Sequence, residues 1–178
     1  IVQALGPSAW LDVDGHAESK WCPAEGEAVV ELLKTIAAAD VVQPDVYLIT
    51  PFRIVSYELR RRLEFETDLF RRLGVSDLAG WIKDRVGTIH TFQGKEAEVV
   101  IAVLGAPMSA QNGARRWASS KPNILNVMVS RAKSGLYIIG SRAAWSTVGH
   151  TREVAARLPS YGRVSLVNAT QDDPVRDR

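Results

Sequence analysis

The sequence predicts an α/β fold built on a parallel sheet, and three observations support this prediction. Apolar strand-like runs alternate with helix-like segments along the chain, which is the pattern of parallel sheets with helical crossovers. The runs at 98–104 and 135–140 are almost wholly apolar, as in strands that are buried on both faces. The 178 residues are 46% hydrophobic and 24% charged, which suits one domain with a substantial core and excludes a disordered or fibrous chain.

The first half of the chain predicts two strands and two helices. Each strand is a short apolar run, and each helix has apolar side chains spaced three or four residues apart. The predicted bounds are 9–13 and 45–50 for the strands, and 24–39 and 54–73 for the helices. Pro51 ends the second strand, and Gly74 ends the second helix as a left-handed cap would. Glu25 and Glu27 stand at the N-terminal end of the first helix, where its dipole favours negative charge.

The second half predicts three further strands, one longer helix and several short elements. Their bounds are 86–91, 98–104 and 135–140 for the strands, 123–131 for the helix, 142–148 and 152–158 for short helices, and 164–167 for an edge strand. Residues 106–121 are polar and rich in small side chains, so we expect a mobile loop there. One domain over 1–170 and a disordered tail over 171–178 complete the prediction.

Several classes of protein are excluded by composition. No apolar run approaches the roughly 20 residues of a membrane helix, and the N-terminus lacks the basic and apolar regions of a secretory signal. Cys22 is the single cysteine, which excludes an internal disulfide and leaves a zinc site short of thiolates. His16, His90 and His150 stand far apart, so we expect no metal site. These features favour a cytoplasmic protein, and a first residue other than Met suits a piece of a longer chain.

The net charge of +2 conceals a strong gradient along the chain. Residues 1–50 carry two basic and eight acidic side chains, whereas residues 99–152 carry seven basic and none acidic. The segments 51–98 and 153–178 are close to balance. An acid-free stretch of this length predicts a positive surface for a polyanion such as phosphate or nucleic acid. A solvated basic face is the alternative interpretation.

Three polar segments flank predicted strands: Thr50–Arg53, His90–Glu96 and Asn126–Lys133. Because ligands of parallel α/β sheets bind at the carboxyl ends of the strands, we expect all three segments at that edge. The stretch from Gly87 to Lys95 superficially matches a phosphate-binding P-loop. However, six residues separate its glycines instead of four, and a glutamate follows the lysine where Ser or Thr would hold Mg²⁺. We therefore expect no P-loop here.

Two longer blocks carry a resemblance to a known family. VGTIHTFQGKEAEVVIAVLG (86–105) and NILNVMVSRAKSGLYIIGS (123–141) closely resemble motifs V and VI of superfamily 1 helicases. The segment 46–63 resembles motif IV of that family, and 19–33 is similar to the element that precedes it. The match covers roughly residues 10–142 in the right order, and it looks most like the 1B branch, which includes nonsense-mediated-decay and Okazaki-fragment helicases. It implies a three-layer RecA-like parallel sheet with helices on both faces and without its own P-loop.

The resemblance also implies residue roles in a nucleotide site. Arg131 would reach the γ-phosphate of ATP as an arginine finger, where a planar and permanently charged fork bridges phosphate oxygens. Gly94 would bring its backbone close to the γ-phosphate, and Glu96 would bind the ribose. Gln93 and Lys95 would lie nearby.

A second set of residues would line a track for single-stranded nucleic acid, where hydroxyls and amides hold phosphates and apolar groups meet bases. The set implied by the resemblance is Thr50, Pro51, Phe52, Thr88, His90 and Thr91. Asn126 would support the helix that carries Arg131. Phe52 and Phe92 are also typical core residues, and His90 is also compatible with a packed histidine.

The function implied is that of the second RecA-like half of an ATP-dependent superfamily 1 helicase that moves 5′ to 3′. Its partners would be single-stranded nucleic acid, DNA in preference to RNA, and a first RecA-like half that holds Mg²⁺; no membrane is implied. Since the chain has no Walker A sequence, we expect no ATP hydrolysis by this chain alone. The alternative is a stand-alone module that binds nucleic acid or protein without catalysis. A nuclease would need a carboxylate cluster that the sequence lacks.

Overall fold

A six-stranded parallel sheet organises the computed structural model, which describes residues 1–92, 94–120 and 122–162, without the side chains of 122–125 and 162. Within these residues the strands are β1 Ala9–Asp12, β2 Val46–Thr50, β3 Val86–Thr88, β4 Ala97–Val103, β5 Ala132–Gly140 and β6 Ser160–Gly162. Their spatial order is β3-β2-β4-β5-β1-β6, and every pair is parallel.

Helices cover both faces of this sheet. They are α1 Val2–Leu5, α2 Pro23–Ala38, α3 Arg53–Glu64, α4 Thr67–Arg72, α5 Leu78–Arg85, α6 Asn112–Ser120, α7 Pro122–Ser130, α8 Arg142–Trp145 and α9 Thr151–Arg157. The chain moves towards one side of the sheet from β1 to β3 and towards the other from β4 to β6. Right-handed crossovers therefore place α2–α5 on one face and α6–α9 on the other. The predicted parallel α/β architecture is confirmed.

The core lies around the two central strands. All of β2 is buried, and in β4 the residues from Val99 to Val103 are at most 1% exposed. Two large indoles, Trp10 and Trp145, are also buried, and each donates its N–H to a backbone carbonyl, at 2.9 and 2.8 Å. The apolar runs of the sequence thus form a continuous core whose buried indole donors are satisfied.

The long helix predicted over 54–73 is wrong as a single element. It breaks between α3 and α4 at Phe65, which is 79% exposed. The break turns Leu69 and Phe70 into the core. The next helix, α5, was not predicted; its sequence signal is Asp77, whose carboxylate accepts from the Gly80 N–H at 2.9 Å as an N-cap does.

The mobile loop predicted over 106–121 is also wrong, since this segment forms a 3₁₀ turn, Ser109–Gln111, followed by α6. Arg115 organises it, because the residue is 4% exposed and its guanidinium donates to the carbonyls of Ala106 and Met108 at 2.6 and 2.7 Å. The buried face of α6 consists of small and polar residues, so the sequence carries little apolar periodicity.

Other differences are smaller. The strand predicted over 86–91 pairs only over Val86–Thr88, and α1 and β6 were not predicted. The predicted edge strand at 164–167, the domain end at 170 and the predicted tail fall outside the described residues. In the described part of the chain, no helix has the length and apolarity to span a membrane.

Candidate functional site

The predicted site residues divide between the two ends of the strands of the sheet. We call the end where strands finish the carboxyl edge and the end where they begin the amino edge. Thr50 and Thr88 pair in register at the carboxyl edge. Ala97 pairs with Ala132 at the other end, so Gly94–Glu96 and Arg131, which directly precede these residues, lie at the amino edge. The expectation that all three polar segments meet at the carboxyl edge is wrong.

The reason lies in the segment 89–96, which descends along the sheet after β3. Thr88 pairs with Thr50 at the carboxyl end of β2. In contrast, β4 begins two residues before Val99, the residue that pairs with Val46 at the amino end of β2. The segment must therefore run back past about six residues of β2, which is about 20 Å at the usual rise of a strand. Phe92 marks its midpoint, where the ring is fully buried and stacks on Tyr47 with centroids 4.3 Å apart.

Arg131 ends the connection from α7 to β5 and reaches across to the segment before β4. Its Nη1 donates to the Lys95 carbonyl at 3.2 Å, and its Nη2 donates to the Ser130 hydroxyl at 3.1 Å. Its carbonyl accepts from the Ala97 N–H at 2.9 Å. The buried Nε has no hydrogen-bond partner among the described residues. The guanidinium is thus positioned by two loops and keeps donor capacity for an anion.

Gly94 gives the neighbouring turn its shape. Its φ of +80° lies in the left-handed region that favours glycine, and a Cβ built there would meet no described atom within 4 Å. The turn closes through the Lys95 N–H, which donates to the Phe92 carbonyl at 3.0 Å. The backbone at Gly94 is therefore open to a ligand. Gln93 falls outside the described residues.

Charged groups surround this turn. The Glu96 carboxylate lies 4.0 Å from Lys133 Nζ, and both side chains are more than half exposed. Deeper along the edge, Asp45 accepts from Arg85 at 2.5 Å and from the Glu98 N–H at 2.9 Å. Burial alone would raise the pKa of Asp45, but these hydrogen bonds and the nearby cations hold it below its usual value. The amino edge thus offers an arginine, an open backbone turn and an accessible carboxylate.

An open groove of about 520 Å³ lies at the carboxyl edge. Its lining residues are Arg53, Ser56, Tyr57, Arg60, Thr88, His90 and Thr91. Arg60 is fixed there, since Nε and Nη2 both donate to the Val86 carbonyl, at 3.0 and 2.5 Å. Thr91 packs over Gly87, where a Cβ would lie 2.6 Å from its hydroxyl oxygen. Cations, hydroxyls, an imidazole and an aromatic ring therefore share one surface.

The groove contains the predicted Thr88, His90 and Thr91, and His90 is exposed rather than packed. The α3 residues in it were not predicted as site residues. Their signal in the sequence is a polar stripe at Arg53, Tyr57 and Arg60, spaced four and three residues apart on one helix face.

The predicted track residues Thr50, Pro51 and Phe52 are buried. The Thr50 hydroxyl accepts from the Phe52 N–H at 3.3 Å, so it supports the turn from within. Phe52 packs against Trp117 and Trp145, which agrees with its interpretation as a core residue. Asn126 lies exposed on α7.

Comparison with known proteins gives one family. A family model described as an AAA domain matches residues 6–143, which is more than half of the chain and includes both edges of the sheet. No curated protein matches the chain significantly.

Proposed function

Since the chain belongs to this helicase-like AAA domain family, we propose that it is the second RecA-like half of an ATP-dependent superfamily 1 helicase. The proposal extends to the 1B branch and to movement from 5′ to 3′ on single-stranded nucleic acid, DNA in preference to RNA. A first RecA-like half would complete the ATP site from the other side of a cleft.

The observation that carries the proposal is the placement of Arg131 against the turn at Gly94. Two separate sequence blocks bring a guanidinium and an open left-handed turn together at the amino edge. An arginine in such a position can stabilise charge that develops on a transferring phosphoryl group. The contact to the Lys95 carbonyl orients the guanidinium before any ligand arrives, which reduces the cost of reorganisation.

The residues present fit a nucleoside triphosphate. Each Nη of Arg131 donates one hydrogen bond and so retains a second N–H for an anionic acceptor, and the space beside Gly94 is open. Glu96 would accept hydrogen bonds from ribose hydroxyls, and Lys95 and Gln93 would stand near the phosphates. When bound, ATP supplies the phosphoryl group and its Mg²⁺ neutralises phosphate oxygens. The Mg²⁺ ligands are assigned to the first RecA-like half.

The groove at the carboxyl edge would hold the nucleic-acid backbone. Arg53 and Arg60 supply positive charge there, and Thr88 and Thr91 supply hydroxyls. Such groups bind phosphates regardless of sequence. With this arrangement the strand and the nucleotide would occupy opposite ends of one sheet.

The test is Arg131→Ala in the full-length protein that carries this chain. We expect ATP hydrolysis stimulated by single-stranded DNA to fall about 1,000-fold, with ATP and DNA affinities nearly unchanged, because the guanidinium acts on the transition state. Arg131→Lys should not restore the rate, since a point charge cannot replace the fork. Arg72→Ala, an exposed arginine on α4, is the matched control. An unchanged rate in Arg131→Ala would refute the proposal.

The acid-free segment 99–152 favours a second candidate, a binding module without catalysis. The two candidates differ in the reading frame upstream of Ile1. A Gly-x-x-x-x-Gly-Lys-Thr/Ser sequence encoded there supports the helicase, and its absence supports the module. In both cases the isolated chain is expected not to hydrolyse ATP.

A further inference from the structure

Trp117 is an exposed aromatic residue near the carboxyl edge. It lies on α6 and is 52% exposed, although a large indole is usually largely buried. One side of it is backed by protein, because it stacks on Phe52 with centroids 6.2 Å apart and planes inclined by 28°. Phe52 is itself buried and packs on Trp145 at 6.3 Å. The exposed indole of Trp117 therefore packs on aromatic side chains that belong to the core.

The helix that carries Trp117 is firmly anchored on both sides of it. Arg115 is buried and donates to two loop carbonyls. On the other side, Ser119 is buried and its backbone packs closely against Gly149. A Cβ added at Gly149 would lie only 2.4 Å from the Ser119 carbonyl oxygen. An aromatic ring fixed in this way binds a planar partner without first losing conformational freedom.

The charge around Trp117 is complementary to a polyanion. Arg116 and Arg53, the chain neighbours of Trp117 and Phe52, are both exposed. Lys20 places its ammonium 5.6 Å from the centroid of the Phe52 ring. The segment 99–152, which contains all of α6, has no acidic residue. An exposed aromatic ring among cations is the arrangement that stacks bases while neighbouring charges hold phosphates.

We propose that Trp117 is a base-stacking platform for single-stranded nucleic acid at the carboxyl edge. The inference rests on the proposed function and adds to it a base contact beyond the groove at β3. Phe52 connects the two, because it adjoins the groove residue Arg53 in the chain and supports the Trp117 ring. A strand leaving the groove would therefore meet Trp117 next.

The experiment compares Trp117→Leu and Trp117→Phe in the full-length protein. Binding to a fluorescein-labelled oligothymidylate of about 20 nucleotides is measured by anisotropy. We expect Trp117→Leu to weaken binding about tenfold and Trp117→Phe to stay within about threefold, since only the second keeps a π face. Phe65→Leu, at another exposed aromatic residue, should bind as the wild type does. Thermal unfolding shows that each variant is folded.

An abasic oligonucleotide of the same length separates stacking from a structural role. Wild type and Trp117→Leu should bind it equally, and their salt slopes should agree because phosphate contacts are unchanged. Equal losses on both oligonucleotides would overturn the platform and indicate a structural role. If the wild type binds DNA with stimulated ATP hydrolysis and Trp117→Leu matches it, only this inference fails. If the wild type binds neither oligonucleotide, the proposed function fails as well.

Discussion

The two binding sites proposed at the two edges of the sheet are built from different elements. At the amino edge the proposed ligand-binding groups come from loops, and Arg131 is positioned by a backbone carbonyl before β4. At the carboxyl edge they come largely from helix faces, with Arg53 and Arg60 on α3 and Trp117 on α6. A nucleotide site needs a few groups at fixed positions, whereas a strand needs a long surface with repeated, tolerant contacts.

The carboxylates of the two edges differ as well. Asp45 at the amino edge is paired with Arg85 and has a lowered pKa. Glu25, beneath the end of β4, is fully buried and accepts from the Gly105 N–H at 2.7 Å, while Oε1 has no partner in the described part of the chain. Burial raises the pKa of Glu25 to about 8. The contributions of these two carboxyl groups to the stability of the fold should therefore depend on pH in opposite directions.

After Arg131→Ala, the largest effect is expected at the amino edge from Gly94→Ala. The methyl group itself has room, but an L-residue at φ +80° is strained, and the turn would move away from its ligand position. We expect ATP hydrolysis by the full-length protein to fall about 10- to 100-fold, with affinity for single-stranded DNA unchanged. Gly94→Asn should recover much of the rate, because Asn tolerates this conformation. Wild-type hydrolysis in Gly94→Ala would show that the turn is not at the nucleotide.

Next in size is the stability change from Glu25→Gln at the carboxyl edge. The folded state keeps the Glu25 proton up to about pH 8, while the unfolded chain releases it near 4.5, so stability is lost as pH rises through this window. The amide avoids this loss, and we expect a gain on the order of 2 kcal/mol at pH 6 and almost none near pH 4. Urea unfolding of the chain measures both. If the free energies of unfolding of variant and wild type differed by the same amount at every pH, a protonated Glu25 in the folded state would be contradicted.

A smaller effect should follow from Arg53→Ala in the groove. Arg53 is exposed there, so losing one phosphate contact should weaken single-stranded DNA binding severalfold and reduce the salt slope by about 1. ATP affinity measured without DNA should stay the same, since that site lies at the other edge. Arg72→Ala serves again as the control. A change in ATP affinity alone would reverse the assignment of the edges.

The smallest effect is expected from Asp45→Asn. A carboxylate with a lowered pKa stabilises the fold above its unfolded pKa, and this contribution disappears as pH falls through the folded value. Because the side chain is 45% exposed, screening reduces the loss to about 0.5–1 kcal/mol at neutral pH. Urea unfolding near pH 2 should show no difference between variant and wild type. A constant difference at all pH values would mean that packing, not charge, is responsible.

Much of the fold follows from local sequence, but the division into two edges does not. The long apolar runs predicted β2, β4 and β5 nearly to their observed bounds. By contrast, nothing in the segment 89–96 indicates that β3 ends at Thr88 and that the chain then descends the sheet. That outcome depends on the packing of Phe92 on Tyr47, a contact between distant residues. Similarly, the position of α6 depends on the buried Arg115. This burial could not be predicted, because arginine side chains are usually exposed.

The descent of the segment 89–96 also makes it a spacer of fixed length. Phe92 is pinned at its middle, with Thr91 at the groove on one side and Gly94 at the Arg131 turn on the other. Only two residues of the chain therefore lie between Thr91, which is proposed to contact the nucleic-acid strand, and Gly94, which is proposed to contact the nucleotide. Inserting or deleting one residue here would shift one binding surface against the other without altering a single contacting side chain. Under the proposed function, the number of residues in this segment is therefore constrained as well.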